Sequence, residues 1–446
     1  MNFQLVELPY LATSDSLLFK LQDYGDLIAF ESKGESTKNS RWSVIAAGPI
    51  RKITAYQADD FSVTRDQLKE LSHLARSIDS KTYDSKALEL PFTGGILGAS
   101  SYDFGSPHLN YRPASEKSPL LFAGLYAWAY LIDHLERKTF VVNNADISTR
   151  EINDLVILLE EAIRECKSTA HPLQISSFTP AISQEQYQTG FKHIKSYISS
   201  GDTYQVNYTQ PFQAKFTGNP LAGYCNLKKQ SQSPYLAYLE SDNNLAIASM
   251  SPELFLAIEQ NNVSTKPIKG TAPRAKEKQQ DEKNALKLKN SKKDNAENLM
   301  IVDLLRNDLS INCNNIKVPE FLKIESFELV HHLVSKITGV MKPEADPIDV
   351  FLDAFPGGSI TGAPKKRAME IIEELEIEPR GFYCGSAFLF SNNGKHQSNI
   401  LIRTFTFQDE IVTCNAGGGI VADSTWESEY QESLDKISRL MEVLEG

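Results

Sequence analysis

Two pairs of acidic residues on predicted helices have a spacing that could hold a divalent cation. Asp294 and Glu297 are three residues apart in DNAENLMIVDLLRNDL, and Glu429 and Glu432 have the same spacing near the end of the chain. Residues three apart lie on one face of a helix, and Lys436 extends the second face. Carboxylates without neighbouring His or Cys suit a hard cation such as Mg²⁺. The alternative is a solvated ion-paired face, because spacing alone does not show that two helices meet.

Two basic residues stand in segments with strand-like composition. Lys269, in KPIKGT, could act as a nucleophile or be a solvated lysine at a strand end. A nucleophilic lysine needs a depressed pKa, because the usual value of ~10.4 leaves less than one amine in a thousand neutral at pH 7. Arg403 lies in SNILIRTFTF, whose apolar content predicts a central buried strand. A buried guanidinium needs an anion, and a carboxylate fits its fork geometry.

Three glycine-bearing segments could approach an anion closely. PGGSITGAPKKRAMEII (356–372) leads into a helix start, NAGGG (415–419) ends a predicted strand, and Gly270-Thr271 follows PIK at another strand end. Free N–H groups at a helix start favour a carboxylate or phosphate, although the spacing of a nucleotide P-loop is absent. Each segment taken alone could also be an ordinary tight turn.

The composition excludes several classes of protein. The 446 residues carry a net charge of −11, which argues against nonspecific nucleic-acid binding. No apolar run approaches the ~20 residues of a membrane-spanning helix, and the first residues do not read as an export signal. The five cysteines are scattered, without a CxxC pair. We therefore expect reduced thiols in a cytoplasmic protein.

The predicted elements mix strands with helices. Strands are predicted within 41–56, 120–144, 203–216, 235–268, 398–407 and 410–421, and helices over 153–167, 185–201, 294–309 and 425–446. The charged stretch 275–294 reads as a solvated loop and helix start. This pattern predicts an α+β (mixed α/β) fold. The polar stretch 168–184 is the best candidate for an internal boundary, between a region 1–170 and a region 185–440.

Eight ordered segments carry a family resemblance: PIKGTAPR, AENLMIVDLLRNDL, HHLVSKITG, PGGSITGAPK, RGFYCG, ILIRTF, AGGGIVADS and ESEYQESLDK. On these the sequence resembles the chorismate-utilising enzymes, strongly over 185–440 and more weakly in the N-terminal region through SRWSVIAAGP and PFTGGILGASSYDFG. The resemblance implies one compact unit of two β-sheets packed face to face, with helices outside and a Mg²⁺-dependent site. The region 185–440 would be its chorismate-binding part.

Two positions indicate a branch of this family. Anthranilate synthases typically have PIAGT where this chain has PIKGT, so Lys269 resembles the lysine of aminodeoxychorismate synthases. Isochorismate and salicylate synthases use a lysine to activate water where this chain has Gln205. The resemblance thus implies amination of chorismate to 4-amino-4-deoxychorismate, towards 4-aminobenzoate and folate. The alternatives are anthranilate synthase component I and a noncatalytic member of the family, although no key residue is lost.

The resemblance also implies residue roles. Lys269 would attack C2 of chorismate to form a covalent intermediate, and Glu253 would be the general acid for the C4 hydroxyl. Glu297 and Glu432 resemble Mg²⁺ ligands, with Asp294 and Glu429 nearby. The implied substrate-binding set is Gly270, Thr271, His332, Tyr383, Arg403, Gly418 and Lys436.

A partner and an additional pocket are implied as well. The chain has no cysteine in the glycine-flanked turn that a glutamine amidotransferase nucleophile needs, so a separate amidotransferase subunit would supply ammonia. Relatives have a tryptophan pocket in the N-terminal region. The matching residues in this chain are Ser32, Trp42, Ser43, Pro234 and Tyr235, although the usual LLES motif is AFES here.

Overall fold

A computed structural model describes residues 3–33, 41–56, 61–78, 85–105, 118–144, 149–164, 172–242, 244–327 and 330–446. The helices in these ranges are α1 Asp15–Leu21, α2 Phe61–Ile78, α3 Ser85–Glu89, α4 Thr149–Arg164, α5 Gln184–Ser200, α6 Pro220–Gln230, α7 Lys278–Lys289, α8 Lys292–Ser310, α9 Pro347–Ala354, α10 Lys365–Leu375 and α11 Trp426–Glu445. Short 3₁₀ helices cover Gln22–Tyr24, Tyr102–Gly105 and Gly358–Ile360.

The strands divide into an N-terminal and a C-terminal series. The first series is β1 Gln4–Leu8, β2 Ile28–Glu31, β3 Trp42–Ala46, β4 Arg51–Ala55, β5 Gly95–Ser100, β6 Leu121–Tyr126, β7 Trp128–Asp133 and β8 Lys138–Asn143. The second is β9 Gln174–Ile175, β10 Thr179–Pro180, β11 Gln205–Thr217, β12 Tyr235–Ser241, β13 Leu245–Ser251, β14 Leu254–Glu259, β15 Asn262–Lys266, β16 Ile268–Pro273, β17 Cys313–Ser326, β18 Val330–Met341, β19 Gly362–Ala363, β20 Ser386–Ser391, β21 His396–Asn399, β22 Thr404–Gln408 and β23 Ile411–Ile420.

These strands form two antiparallel sheets, and each sheet takes strands from both series. Sheet 1 has the order β1-β8-β7-β3-β2-β12-β13-β22-β23-β11-β10, with β9 and β19 also paired to β11. Sheet 2 has the order β16-β18-β15-β14-β21-β20-β5-β6-β4, with β17 also paired to β18. Residues from before and after the polar stretch therefore share a hydrogen-bonded framework in both sheets.

A hydrophobic core lies between the two sheets. Leu131 and Ile247 from sheet 1 pack in one buried cluster with Phe122 and Leu389 from sheet 2. The outer face of sheet 1 packs against α1, α4, α6 and α11, and that of sheet 2 packs against α2, α8 and α9. Helix α10 lies against β11 and β19 of sheet 1. Burial of apolar side chains on both faces explains the nearly continuous apolar composition of the central strands. The predicted mixed α/β fold with two packed sheets and outer helices is confirmed.

Two predictions about local structure were wrong. The stretch 275–294 is mostly helical, because α7 and the start of α8 occupy it; Lys, Gln, Glu, Ala and Leu are good helix formers, and no Gly or Pro interrupts them. The segment 398–407 is not one buried strand. It divides into the end of β21, in sheet 2, and β22, in sheet 1. The helix predicted over 153–167 begins earlier, at Thr149, and residues 165–167 lie outside the described ranges.

No helix within the described ranges is long and apolar enough to cross a membrane.

Candidate active site

The chain crosses from one sheet to the other at two places that carry predicted site residues. Glu253 lies between β13 of sheet 1 and β14 of sheet 2, and Arg403 lies between β21 of sheet 2 and β22 of sheet 1. The two crossings are joined to each other, because the Ile400 N–H donates to the Glu253 carbonyl at 3.1 Å and the Met250 N–H donates to the Arg403 carbonyl at 3.0 Å. The break in the predicted strand thus brings an acid and a guanidinium to the same end of the two-sheet core.

Lys269 lies in β16, next to a distortion of the strand. The pairing register between β16 and β18 shifts between Ile268 and Thr271, and Gly270 has φ +79°. A side chain at Gly270 would strike Leu288 at 2.8 Å and the Asp294 carboxyl carbon at 2.9 Å. Gly270-Thr271 is therefore an irregularity within β16, where the sequence predicted a strand end. The glycine lets α8 and its carboxylate approach the strand beside Lys269.

One residue connects the two predicted catalytic side chains. Lys269 Nζ donates a hydrogen bond to the Ser359 carbonyl oxygen at 3.0 Å, and the Ser359 hydroxyl hydrogen-bonds to the Glu253 carboxyl group. Burial lowers the pKa of Lys269, opposed by the carboxylates of Glu297 and Glu253. Burial also raises the pKa of Glu253, opposed by the bond from Ser359 and the charge of Lys269. The directions suit a lysine that becomes neutral and an acid that keeps its proton.

The sequence did not single out Ser359 as a functional residue. It lies in the short helix Gly358–Ile360, inside the glycine-rich segment that we interpreted as an anion site. The Asn207 amide and the Arg380 guanidinium both donate to the carbonyl of the next residue, Ile360, at 3.1 and 2.8 Å. The turn carrying Ser359 is thus fixed by buried side chains. The sequence feature that could have indicated a role for Ser359 is its position within the glycine-rich segment PGGSITGAPK.

The two acidic helices meet. Lys293, in the first turn of α8, forms an ion pair of 3.1 Å with Glu429, in the first turn of α11, and lies 4.0 Å from Glu297. Glu429 is only 2% exposed, and its carboxylate also accepts a hydrogen bond from the Ser424 hydroxyl at 2.6 Å. Burial would lower the pKa of Lys293, but Glu429 and Glu297 hold it above the usual value. The structure therefore brings Glu297 and Glu429 together around one ammonium group.

Glu297 is the predicted metal ligand that has an unpartnered carboxylate oxygen in the described part of the chain. It is 9% exposed, and its Oε1 has no hydrogen-bond partner within the described structure. Burial raises the pKa of this carboxyl group; the charges of Lys269 and Lys293 oppose the increase, and those of Asp294 and Glu429 add to it. A buried carboxylate is costly without a charge partner, and the nearest ammonium is 4.0 Å away. A divalent cation would supply that charge.

Glu432 and Lys436 lie at the open side of the same group. Their side chains form an ion pair of 2.7 Å along α11, and both are nearly half exposed. Burial would raise the pKa of Glu432, but Lys436, Lys293 and Lys269 hold it below the usual range. The ion-paired alternative thus holds for this pair, whereas Glu429 is buried and pairs with another helix.

The four acids fit a Mg²⁺ site of the open type. Among the described residues, no group of three or more His, Cys, Asp or Glu side chains is placed to hold a metal ion. Mg²⁺ commonly takes only one or two carboxylates and keeps water and substrate oxygens as its other ligands. The unpartnered Glu297 oxygen and the exposed Glu432 match that donor set. The Mg²⁺ assignment stays a prediction.

Gly418 lies where α11 and β23 come closest. A side chain at this position would meet Glu429 Oε2 at 3.2 Å, Glu432 Oε1 at 3.5 Å and Lys436 Nζ at 3.5 Å. Lys436 Nζ also donates to the Gly417 carbonyl at 2.9 Å. Because the glycines of β23 have no side chains, the charged face of α11 can lie close to the backbone of this strand.

His332 lies in β18 opposite Thr271 of β16, and Arg403 is close enough to act on its charge. Thr271 Oγ1 and His332 Nδ1 are 2.9 Å apart across the β16–β18 pair. Burial and the nearby Arg403 charge lower the pKa of His332 to about 4, so the imidazole is neutral near pH 7. Burial lowers the pKa of Arg403, with no opposing carboxylate among the described residues. A partly buried guanidinium beside a neutral histidine is an arrangement that can bind a carboxylate.

Tyr383 and Gln205 complete the predicted set. Tyr383 is buried in the outer core of sheet 2. The adjacent Cys384 has its pKa raised to about 12, chiefly by burial, with a contribution from Glu253. The structure shows no contact between Tyr383 and the other described residues of the predicted binding set. Gln205 is fully buried, and neither atom of its amide has a hydrogen-bond partner in the described part of the chain.

The residues of the predicted tryptophan pocket form two groups. The Ser32 hydroxyl donates to the Pro234 carbonyl at 3.0 Å, and Tyr235 follows at the start of β12, which pairs with β2. Ser43 instead contacts His134 Nε2 at 2.8 Å, and Trp42 packs at a tilt on Phe140. The strand order β3-β2-β12 makes these groups neighbours in sheet 1. Tryptophan binding stays a prediction.

Comparison with known proteins identifies the class. The chorismate binding enzyme family matches residues 28–442, and the chain belongs to this family. Aminodeoxychorismate synthase component 1 of Escherichia coli K12 is 38% identical over 419 residues, covering 91% of this chain and 90% of that protein. The Klebsiella aerogenes protein of the same name is 41% identical over 362 residues, covering 80% and 78%. The predicted resemblance is confirmed.

Anthranilate synthases are similar as well. Component 1 from Saccharolobus solfataricus is 35% identical, covering 92% of this chain and 91% of that protein. The crystal structure of component I from Streptococcus pneumoniae TIGR4 superimposes with a TM-score of 0.76 at 28% identity, covering 91% and 93%. The chain is thus a chorismate-utilising enzyme whose sequence favours the aminodeoxychorismate synthase branch.

Proposed function

We propose that this enzyme converts chorismate and ammonia to 4-amino-4-deoxychorismate, a transaminase-class amination that supplies 4-aminobenzoate and folate synthesis. The observation that carries the proposal is the pair Lys269 and Glu253, joined through Ser359 in one partly buried site. An anthranilate-type alanine at position 269 could not provide this pair. The proposal agrees with the names of the E. coli and K. aerogenes relatives.

In the first step, the neutral amine of Lys269 attacks C2 of chorismate. A C2–N bond forms, the two conjugated ring double bonds shift from C1=C2 and C5=C6 to C1=C6 and C4=C5, and the C4–O bond breaks. Glu253 donates a proton to the departing hydroxyl, which leaves as water, because hydroxide is a poor leaving group. Burial of both residues favours the two required protonation states, a neutral amine and a protonated acid.

In the second step, ammonia adds at C4 and expels the lysine from C2. Both ring double bonds return to their first positions, and Lys269 regains its free amine after proton transfer. Water does not compete through a lysine base, because Gln205 is an amide and cannot accept a proton at neutral pH. The covalent adduct therefore directs nitrogen to C4.

Two groups of residues would bind the two carboxylates of the substrate. Arg403, Thr271 and His332 would hold one carboxylate, with Tyr383 nearby, and Lys436 with the backbone of Gly270 and Gly418 would face the ring carboxylate. Glu297 and Glu432, with Asp294 and Glu429 close by, would hold Mg²⁺. When bound, Mg²⁺ would offset the charge of that carboxylate.

A separate glutamine amidotransferase subunit would supply the ammonia. The designation component 1 of the relatives supports a two-component enzyme. The four described cysteines, Cys225, Cys313, Cys384 and Cys414, are buried and free, which is compatible with the proposed cytoplasmic location and offers no exposed thiol nucleophile in the described structure.

Product identification tests the proposal. The purified chain is incubated with chorismate, Mg²⁺ and an ammonium salt at raised pH, where free ammonia is available, and the product is identified by chromatography and mass spectrometry. We expect 4-amino-4-deoxychorismate, and no product with glutamine as nitrogen donor. Anthranilate as the main product would establish the alternative, anthranilate synthase component I. Glutamine-dependent turnover by this chain alone would contradict the partner proposal.

A further inference from the structure

The segment 274–293 has the opposite charge to the rest of the protein. It has eight basic and three acidic side chains, a net charge of +5, so the remaining residues carry −16. The basic residues are Arg274, Lys276, Lys278, Lys283, Lys287, Lys289, Lys292 and Lys293, and the acidic residues are Glu277, Asp281 and Glu282. Of this charge, +2 lies on α7, within the stretch predicted to be a solvated loop and helix start, and the rest lies on the residues that flank α7.

The lysines of α7 are exposed and largely unpaired. Lys283, Lys287 and Lys289 of α7 are all exposed, as is Lys276 just before the helix, and none of the four has an ion pair to another described residue. Lys278 has an acidic neighbour, Glu282, at 4.0 Å. Unpaired surface ammonium groups leave their field free to act on ions in solution. These lysines therefore form a local positive surface on an acidic protein.

This surface lies directly beside the candidate active site. Leu288, the buried residue of α7, occupies the space next to Gly270, and the Asn284 amide donates to the Pro273 carbonyl at 2.9 Å. Asp281 accepts from Arg274 Nε at 2.9 Å and contacts His331 Nε2 at 3.0 Å, next to His332. Together these contacts fix α7 along β16, the strand that carries Lys269.

The interior of the site has a different charge balance. The site has five acids, and its basic residues are three lysines and one arginine; the whole protein is acidic as well. The acids are Glu253, Asp294, Glu297, Glu429 and Glu432, and the basic residues are Lys269, Lys293, Lys436 and Arg403. A dicarboxylate such as chorismate would be repelled by such a protein unless a positive surface lies on its path. Fields of this kind raise the local concentration of an oppositely charged ligand.

We propose that the exposed lysines of α7 attract the dicarboxylate substrate electrostatically towards the site beside β16, without contacting it in the reacting complex. This inference rests on the proposed function, because the substrate must be an anion. It predicts an effect on substrate capture that salt screens, since the Debye length falls from about 10 Å at 0.1 M to about 3 Å at 1 M. It predicts no effect on the chemical step.

A double variant and a charge-matched control separate the local effect from the overall charge. Lys283→Gln/Lys287→Gln removes two exposed charges from α7. Lys215→Gln/Lys317→Gln removes two exposed charges elsewhere. Lys215 is seven residues along β11 from Tyr208, which pairs with Gly418, or about 23 Å away. Lys317 pairs with Thr338, six residues along β18 from His332, or about 20 Å away.

Steady-state kinetics at fixed Mg²⁺ and saturating ammonia, at ionic strengths of about 0.1 M and about 1 M, test the inference. At 0.1 M we expect the KM for chorismate of the α7 variant to rise about three- to tenfold over wild type, with kcat and the KM for neutral ammonia unchanged. The difference should shrink to less than about twofold at 1 M. The control pair should behave like wild type at both salt concentrations.

Three outcomes would overturn the inference: an unchanged KM in the α7 variant, an equal rise in the control variant, or a rise that persists at 1 M. Thermal unfolding of both variants shows whether either has lost its fold. A single substitution, Lys287→Gln, is the second test if the double variant unfolds, with a smaller salt-dependent rise expected. Failure of the proposed function would instead appear in wild type, as no aminodeoxychorismate at any salt concentration.

Discussion

Lys293 and Glu429 form an ion pair of 3.1 Å between the first turns of α8 and α11. These helices are separated by more than a hundred residues in the chain, and each carries one of the predicted acidic pairs. The ammonium group of Lys293 also lies 4.0 Å from Glu297. The ion pair therefore joins the two acidic helices. Each acidic pair can be recognised in the sequence, but only the folded structure shows that the two helices are in contact.

Removing a carboxylate at this junction should abolish turnover. Glu297→Gln and Glu432→Gln each remove a ligand charge from the proposed Mg²⁺ site, and we expect at least about a hundredfold loss that added Mg²⁺ does not fully restore. Fluorescence or calorimetric Mg²⁺ titration should show weaker binding. Glu427→Gln, an exposed change in the first turn of α11, should retain activity. Turnover that persists in EDTA would contradict the metal assignment.

Arg403 should contribute to substrate binding, and its partly buried charge, unpaired among the described residues, should lower the free energy of unfolding of the protein. Its guanidinium is partly buried with no carboxylate partner in the described structure, so Arg403→Met should leave the free energy of unfolding unchanged or raise it by about 1 kcal/mol. The loss of charged hydrogen bonds of about 1.5–3 kcal/mol should raise the KM for chorismate about ten- to a hundredfold. Arg403→Lys keeps the charge but loses the fork, so we expect an intermediate KM. An unchanged KM in both variants, measured with urea unfolding in parallel, would exclude this role.

His332 should make the fold sensitive to acid. Its pKa is lowered from 6.5 to about 4, so the folded protein favours the neutral imidazole. The resulting stability is fully present above pH 6.5 and is lost as the pH falls towards 4, where the unfolded chain takes up the proton first. The loss approaches about 3 kcal/mol at about 1.36 kcal/mol per pH unit.

Urea unfolding between pH 7 and pH 4 measures this dependence. His332→Gln should lose less stability on acidification than wild type, by up to about 3 kcal/mol. His193→Gln, at an exposed histidine of α5, is the matched control and should keep the wild-type dependence. If the free energy of unfolding changed with pH in the same way for wild type and His332→Gln, this imidazole would not have the lowered pKa that its burial predicts.

Local periodicity was sufficient to predict the helices of the site. The stripe Tyr430, Leu434, Ile437 predicted α11, and the apolar run after Glu297 predicted α8. Each helix packs against the protein through one apolar face, and the spacing of apolar residues in the local sequence is enough to define that face. The mixed α/β fold was also predicted, although its two-sheet arrangement came from the family resemblance.

Features that depend on tertiary hydrogen bonds could not be predicted in this way. The composition of 398–407 predicted a single strand. In the structure, the backbone of this segment hydrogen-bonds to the backbone around Glu253, and the chain passes from sheet 2 to sheet 1 there. The role of Ser359 depends on its carbonyl and hydroxyl facing two residues that are distant in the chain. Gly270 looked like a strand end, and only its contact with Asp294 shows why the strand is distorted.

The central claim is that Lys269 forms a covalent bond to the substrate. Lys269→Ala converts PIKGT to the anthranilate-type PIAGT, and this variant should lose aminodeoxychorismate synthesis, with any residual amination at C2 giving aminodeoxyisochorismate or anthranilate. Lys366→Ala, at an exposed lysine of α10, serves as a matched substitution for proteolytic mapping.

The most direct measurement is mass spectrometry of the wild-type protein after reaction with chorismate and Mg²⁺ in the absence of ammonia. We expect the peptide that contains Lys269 to gain the mass of chorismate less one water, and the Lys269→Ala protein to gain nothing. An unmodified Lys269 peptide under trapping conditions, together with undiminished aminodeoxychorismate synthesis by Lys269→Ala, would contradict the covalent mechanism and the assignment to this branch of the family.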